Sequence, residues 1–168
     1  NHDKSLELLA RTGAQPFQNA VFLQDTELMI EGVKFFGAPW VPDLKDHAFF
    51  ANPQELIEAW SNIPDDVDVL ITHTPPAGVL DVSSHGESLG CAYLANRLKA
   101  LKPTLHCFGH VHASSGRLTH NGTTFINATS VNSDLEISVP PFEIDLSMDS
   151  LPRQKGIKST LASWWPFQ

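Results

Sequence analysis

The chain has 168 residues and a formal net charge of −8, from 19 acidic and 11 basic residues. Hydrophobic residues make up 42% of it and charged residues 18%, which is typical of a globular domain long enough to bury its own core. The negative charge and the lack of a basic block exclude broad nucleic-acid binding, and no apolar run reaches the roughly 18 residues that a membrane span needs. The chain opens on Asn1-His2-Asp3, and no segment resembles a signal peptide. A cytoplasmic location is therefore the expectation that we favour.

The N-terminal part of the chain predicts a short helix followed by strands. Residues 4–12 space their apolar side chains as one helix face does, and Gly13 can end the helix. Residues 20–38 are predicted to be strands with the sequences VFLQD, ELMI and VKFFGA. Glu31-Gly32 forms the turn between the last two, so this stretch contains a hairpin.

A second helix is predicted after the loop 39–51. Asn52 is a typical cap, Pro53 suits the first helical position, and Glu55 stands where the glutamate of a capping box belongs. Trp40 in the preceding loop is expected to pack on this helix. Three large apolar side chains of the helix are expected to be buried: Leu56, Ile57 and Trp60.

Two short apolar runs, 67–72 (VDVLIT) and 104–108 (TLHCF), are typical of strands buried on both faces. Between them, residues 88–101 carry apolar side chains at helical spacing, with Ser88 as the cap and Pro103 after the end. Helices and strands are therefore mixed along the chain rather than segregated.

The C-terminal third predicts a hairpin and a last strand. Residues 116–128 form the hairpin with Asn121-Gly122 as its two-residue turn, and 141–146 (PFEIDL) form the strand. The tail from Leu151 is poorly patterned. Three of its aromatic residues are candidates for docking on another surface: Trp164, Trp165 and Phe167. The mixture predicts the α/β class, as a layered sandwich rather than a bundle or a barrel.

Histidines follow both buried strands at their carboxyl ends. His73 comes directly after the first strand, and His110 and His112 follow the second in the sequence GHVH. Ligand sites in open α/β sheets gather at such strand ends, and imidazole is the commonest transition-metal ligand. Asn1 adds an amide oxygen, a hard ligand that suits Mn, Fe or Zn beside imidazole. The pattern indicates a metal site.

Other histidines and the two cysteines are expected to be structural. A single histidine is more often a surface or satisfied core residue than a metal ligand, and four fall in this group: His47, His85, His106 and His120. Cys91 and Cys107 lie on a predicted helix face and a buried strand, where a thiol packs as a small apolar group.

Three motifs resemble the last three motifs of the calcineurin-like metallophosphoesterases: NHD at 1–3, THTPP at 72–76 and GHVH at 109–112. The surrounding sequence is similar to the metallophosphoesterase-domain-containing branch of that family, notably GVKFFGAPWVPD and LGCAYLANRLKALKPTLHCFGHVH. The resemblance runs from residue 1 to about residue 146, and the three motifs together are highly specific. Asn127 matches the asparagine of the branch's INAS stretch and is expected to be structural.

The resemblance implies a role for each matched residue. The second metal would have three ligands from this chain: Asn1, His73 and His110. His112 would bind the first metal. His2 would protonate the leaving group or stabilise charge that develops beside the phosphate, and Asp3 would orient His2. His85 and Gly86 lie in the loop after THTPP, which borders the active site in the family, and they would contact the substrate.

The implied reaction is the hydrolysis of a phosphomonoester or a phosphodiester, with a small nucleotide as one candidate substrate. Two divalent ions (Mn, Fe or Zn) polarise the phosphoryl oxygens and activate a bridging water that attacks phosphorus in line. A protonated imidazole on the opposite side can act as the general acid. The charge of −8 opposes polyanion partners but not a small phosphate ester held by metals.

Two family motifs, D-x-H and G-D, do not occur in the chain, and they supply two ligands of the first metal and the aspartate that bridges both metals. Residues 1–146 are therefore expected to be the C-terminal part of a layered α-β-β-α domain, and 147–168 a tail. The alternative is a non-catalytic remnant that acts as a binding or scaffold module. With strands missing, the isolated chain is expected to aggregate or to need a partner. The oligomeric state is left open.

Overall fold

The computed structural model describes residues 1–14 and 16–146. This part of the chain contains ten short helices and strands. They are, in chain order, α1 (Lys4–Arg11), β1 (Thr26–Ile30), β2 (Val33–Ala38), α2 (Pro53–Ser61), β3 (Val69–Thr72), α3 (Ala92–Leu98), β4 (Leu105–Phe108), a 3-10 helix (His112–Ser114), β5 (Gly116–His120) and β6 (Thr123–Asn127). The mixed α/β class is confirmed. No helix in the described ranges is both long and apolar enough to cross a membrane.

The strands form a six-stranded sheet in the order β1-β2-β3-β4-β6-β5. The four central strands are parallel to one another, whereas β1 and β5 each pair antiparallel with their hairpin partner. The crossover from β2 to β3 contains α2, and the crossover from β3 to β4 contains α3. Because the central strands are parallel, their carboxyl ends meet at one edge of the sheet.

The predicted hairpin turns and the predicted cap of α2 are confirmed. Glu31-Gly32 and Asn121-Gly122 all have positive φ, as two-residue hairpin turns of this kind require. The Oδ1 atom of Asn52 accepts hydrogen bonds from the backbone at the start of α2, completing a capping box. These local signals depend on neighbouring residues only, which is why the sequence predicts them well.

Helix α2 buries Leu56 and Trp60 as expected, but the expected burial of Ile57 is wrong, since its side chain is 48% exposed. Successive side chains of a helix are rotated by about 100°, so Ile57, next to Leu56, points away from the core. The buried stripe continues through Ala59 instead. Trp40 packs against the core beneath this helix, as predicted.

The two faces of the sheet are covered differently. On the first face, Phe36 and Leu70 pack against α2 and α3 in a cluster that includes the fully buried Trp60. On the second face, a smaller cluster contains Val33, Val69, Leu105 and Ile126, and the side chains of residues 142, 144 and 146 pack over it. Ile71 on the sheet remains 38% exposed.

Two predicted strands are not strands. Residues 141–146 make no sheet ladder, because their alternating apolar side chains lie across the second face rather than beside an edge. The VFLQD segment is also outside the sheet. Asp25, its last residue, has a φ of 48°, which breaks an extended conformation just before β1 begins at Thr26.

The predicted helix 88–101 is shorter than expected, since α3 begins at Ala92 and ends at Leu98. Ser88 does not cap it. Its hydroxyl donates instead to the carboxylate of the buried Asp81, which holds the preceding loop. The predicted division at residue 146 stays a prediction, and the tail with its aromatic residues lies outside the described residues.

Candidate metal centre

Two loops at the carboxyl edge of the sheet bring the predicted histidines together. His73 directly follows β3, and His110 follows β4 after one glycine. The two loops are joined through the backbone, because the amide of Gly109 donates to the carbonyl of His73 over 3.1 Å. The imidazole rings of His73 and His110 lie 4.9 Å apart between centroids.

Asn1 reaches the same place. Its Oδ1 atom lies 2.9 Å from the Nε2 atom of His73. The backbone there is fixed as well, since the amide of the buried Ala48 donates to the carbonyl of Asn1 over 2.9 Å. An amide oxygen and two imidazoles therefore converge from three separate parts of the chain.

The backbone at His110 is strained. Its φ is 72°, in the left-handed region that non-glycine residues rarely adopt. The amide of Val111 donates to the carbonyl of Gly109 over 2.8 Å, which makes a three-residue γ-turn with His110 at its centre. Such strain costs on the order of 1–3 kcal/mol and collects at functional sites, where the surrounding structure enforces it.

Asn127 enforces this turn from below. Its side chain is fully buried, and its Nδ2 atom donates to the carbonyls of Val111 (2.8 Å) and Leu80 (3.1 Å). Its Oδ1 atom accepts from the amide of Thr129 over 3.2 Å. Asn127 thus links the loop after β3 to the loop after β4, in keeping with its expected structural role.

His112 begins the short 3-10 helix beyond the turn. Its Nδ1 atom lies 3.2 Å from the carbonyl oxygen of Asn132. Because a carbonyl oxygen can only accept, Nδ1 carries the proton and donates it. This arrangement leaves Nε2 unprotonated, with a lone pair that could bind a metal, and ligating histidines are commonly oriented in this way.

Burial keeps His73 and His110 neutral. It lowers the pKa of His73 from 6.5 to about 3 and the pKa of His110 from 6.5 to about 4, chiefly because a charged imidazole would lose its solvation. Both rings therefore carry an available lone pair near neutral pH, which is the form that binds a metal.

One contact among these residues is close enough for a shared divalent ion. The Oδ1 atom of Asn1 and the Nε2 atom of His73 lie at hydrogen-bond distance, 2.9 Å apart, and an ion that replaced the proton between them would bind both atoms. Within the described residues, no group of three or more His, Cys, Asp or Glu side chains could hold a metal. The amide of Asn1 would be the third ligand beside His73 and His110. His112 is the one predicted ligand for a second ion.

His2 and Asp3 lie beside this cluster and are exposed. Among the described residues, no hydrogen bond joins Asp3 to His2, so the expected orienting contact stays a prediction. The ring of His2 instead faces the half-buried ring of His47 edge-on, with centroids 5.6 Å apart. The sequence signals gave no reason to place His47 here, because it lies in an irregular loop without a motif.

His85 and Gly86 lie at the exposed tip of the loop after β3. Ser83 organises this tip, since its hydroxyl accepts from the amide of His85 (3.2 Å) and its carbonyl from the amide of Gly86 (3.0 Å). In the described part of the chain no hydrogen bond or ring contact connects them to the site histidines. Their substrate-binding role stays a prediction.

Comparison with known proteins gives three informative relatives. Metallophosphoesterase domain-containing protein 1 of Homo sapiens is 38% identical over 131 residues, which are 76% of this chain and 40% of that protein. UPF0046 protein K07C11.7 of Caenorhabditis elegans is 42% identical over 124 residues, or 73% of this chain and 42% of that protein. UPF0046 protein T07D4.2 of the same organism is 37% identical over 143 residues, 84% of this chain and 36% of that protein.

These relatives confirm the resemblance to the metallophosphoesterase-domain-containing branch. The chain spans between 36% and 42% of the length of the three relatives it matches. No family model matches the chain. The similarity therefore concerns one part of a longer kind of protein.

Proposed function

The chain is related to the metallophosphoesterase domain-containing proteins over most of its length, and from this premise we propose that it carries part of the active site of a metal-dependent phosphoesterase. The convergence of Asn1, His73 and His110 at the ends of two parallel strands supports this most directly. The reaction is the hydrolysis of a phosphomonoester or phosphodiester, and a small nucleotide suits a site that uses metals to overcome the negative charge of the chain.

Each ligand has a distinct part in this proposal. Asn1, His73 and His110 would hold one divalent ion (Mn, Fe or Zn) through an amide oxygen and two neutral imidazoles. His112 offers its Nε2 atom to a second ion, since the carbonyl of Asn132 engages its Nδ1 atom. A bound metal polarises the phosphoryl oxygens and lowers the pKa of a coordinated water.

The exposed residues around the ligands meet the substrate. His2 directly follows a ligand and faces solvent, so it is available to protonate the leaving group. Asp3 is the neighbouring carboxylate that orients His2. His85 and Gly86, at the exposed tip of the loop that follows His73, contact the group that the phosphate carries.

A second sheet completes the layered α-β-β-α sandwich in this proposal. Helices cover the first face of the sheet, whereas the second face leaves Ile71 38% exposed and is covered by a single extended segment. Stacked sheets bury such a face. The aspartates of D-x-H and G-D do not occur in the chain, and they belong to the strands that complete this sandwich.

Metal binding by the purified chain tests the ligand set first. We expect one Co²⁺ ion per chain, followed by its visible absorption, and at least a tenfold loss of affinity in His110→Ala. His120→Ala is the matched control, because that histidine lies exposed on the hairpin strand β5. Equal affinity in the two variants would contradict the assignment of His110.

Hydrolysis of p-nitrophenyl phosphate and of bis-p-nitrophenyl phosphate, with Mn²⁺ present, tests the activity. The measurement uses the longest form of the protein that contains this sequence, alongside the isolated chain. We expect Mn²⁺-dependent turnover from the longer form and little from the chain alone, because one ion lacks its carboxylate ligands. Absence of metal-dependent turnover in both forms would overturn the proposal.

A binding or scaffold module without catalysis is the second candidate. One observation favours it: the D-x-H and G-D motifs, which supply carboxylate ligands in the family that the chain resembles, do not occur in the sequence. Metal stoichiometry separates the two candidates. Two tightly held ions in the longer form exclude the scaffold, whereas one loosely held ion or none favours it.

A further inference from the structure

His106 is a polar residue in the middle of the core. It lies on β4, its side chain is fully buried, and the rings of Phe108 and Phe125 flank it at centroid distances of 4.9 and 5.8 Å. Its Nε2 atom lies 2.9 Å from the Oγ1 atom of Thr72 on the neighbouring strand. Its Nδ1 atom is buried and has no hydrogen-bond partner among the described residues.

The hydrogen bonds around Thr72 fix the proton on this ring. The hydroxyl of Thr72 has one proton, and its Oγ1 atom lies 2.7 Å from the carbonyl oxygen of Thr74, which can only accept. The hydroxyl therefore donates to Thr74. His106 must then donate from Nε2 to Thr72, so its ring is the neutral Nε2–H tautomer and the lone pair on Nδ1 stays unpaired.

The hydrogen bonds from His106 to Thr72 and from Thr72 to Thr74 form a buried relay that spans His73 in the sequence. Thr72 and Thr74 are the residues on either side of His73, and both side chains are buried. The backbone of His73 is held too, through its amide to the carbonyl of Ala38 (3.3 Å) and through its carbonyl to the amide of Gly109 (3.1 Å). These hydrogen bonds therefore hold the chain on both sides of His73, at the point where β3 ends.

We propose that His106 is a positioning residue that acts through Thr72 and Thr74 to hold His73 in the orientation that binds the metal. This inference rests on the proposed function, since it assigns a purpose to the orientation of a metal ligand. It explains why a polar ring with an unpaired nitrogen occupies a position between two phenylalanine rings, where an apolar side chain would avoid an unsatisfied acceptor.

Two substitutions separate positioning from packing. His106→Phe keeps a ring in the core and removes the donor, whereas His106→Gln places an amide N–H near the position of Nε2 and retains it. We expect the Co²⁺ affinity to fall about tenfold in His106→Phe, the range seen when a residue behind a ligand is lost. His106→Gln should recover most of that affinity even if it is the less stable variant.

Thermal unfolding of the same variants provides the comparison. A merely structural role predicts that affinity follows stability, so that the better-packed variant binds better. If instead the Co²⁺ affinity is high in the variants that keep an N–H donor at residue 106 and low in those that lack it, the positioning role is supported. Unchanged affinity in His106→Phe, with the wild type binding normally, overturns the inference and leaves the proposed function intact. His120→Phe serves as the matched control on the exposed hairpin.

Amide hydrogen exchange tests the inference without metal. We expect His106→Phe to speed exchange at the amide of Gly109, which bonds to His73, relative to the amide of Thr124, which bonds to Thr104 in the same sheet. If the wild type binds no Co²⁺, the proposed ligand set fails on its own account. Unchanged exchange at Gly109 would then overturn the positioning role as well.

Discussion

The two loops that carry the histidines reach the same edge of the sheet by different means. The loop after β3 presents His73 without a positive φ and holds it through the hydrogen bonds of Thr72 to Thr74 and His106. The loop after β4 presents His110 at a φ of 72° in a γ-turn. One ligand is therefore held in a relaxed backbone and the other in a strained one.

The difference shows where the stability of the site comes from. A residue in a relaxed backbone conformation, such as His73, needs only enough hydrogen bonds to select one orientation. A strained loop needs contacts whose combined free energy exceeds the strain, and Asn127 provides them through Val111 and Thr129. Asn127 also donates to the carbonyl of Leu80, which has a φ of 50°, so a failure at the loop after β4 is transmitted to the loop after β3.

Asn127→Leu is expected to have the largest effect. It removes the partners of three backbone groups, those of Leu80, Val111 and Thr129, and each unsatisfied buried group costs about 1–3 kcal/mol. We expect the free energy of unfolding to fall by about 3 kcal/mol or more, measured by urea denaturation. Asn96→Leu on the exposed side of α3 is the control and should change it little. Equal losses in the two variants would show that the strained loop does not depend on Asn127.

Acidification is expected to destabilise the fold through the buried histidines of both strands and loops. Burial lowers the pKa of His106 from 6.5 to about 3, so between these values the unfolded chain binds a proton that the folded chain does not. The contribution of His106 to the free energy of unfolding should therefore be constant above about pH 6.5 and fall below it, by about 1.4 kcal/mol per pH unit. His106→Phe should remove that part of the slope, which is measured as the difference between the two proteins from pH 7 to pH 5. Parallel stability curves would contradict the burial of a neutral ring.

The smallest effect is expected at His110 itself. Glycine adopts a φ of 72° freely, whereas alanine at the same φ is less stable by about 1 kcal/mol. His110→Gly should therefore be about 1 kcal/mol more stable than His110→Ala, while both lose metal affinity. In His120→Gly and His120→Ala the order should reverse, because that residue lies within β5. The same order at both positions would show that the turn is not strained.

Local signals predicted the fold better than patterns that need a partner. The capping box at Asn52, both hairpin turns and the two buried central strands depend on neighbouring residues, and the structure has them all. The strand predicted at 141–146 is wrong, although the alternating apolar side chains of this segment are partly buried on the second face of the sheet. Alternating apolar residues indicate that one face of a segment is buried. They do not indicate whether an unpaired edge strand is available for the segment to join.

The candidate site was predictable where motifs carried it. The resemblance led to Asn1, His73 and His110, which converge. His47, His106 and the geometry of Asn127 were not predictable, because each depends on long-range contacts across the sheet edge or between strands. A buried histidine in a strand looks the same in the sequence whether it is satisfied or holds a neighbouring loop.

The order of strands in the sheet also bears on how the protein folds. The outer pairs, β1 with β2 and β5 with β6, join neighbours in the sequence, whereas the contact between β3 and β4 must close a crossover that contains α3. Contacts between sequence neighbours form earlier because they close shorter loops. The two hairpins can therefore form while the ends of β3 and β4 are still apart, so the proposed ligands come together only once the crossover between these strands has closed.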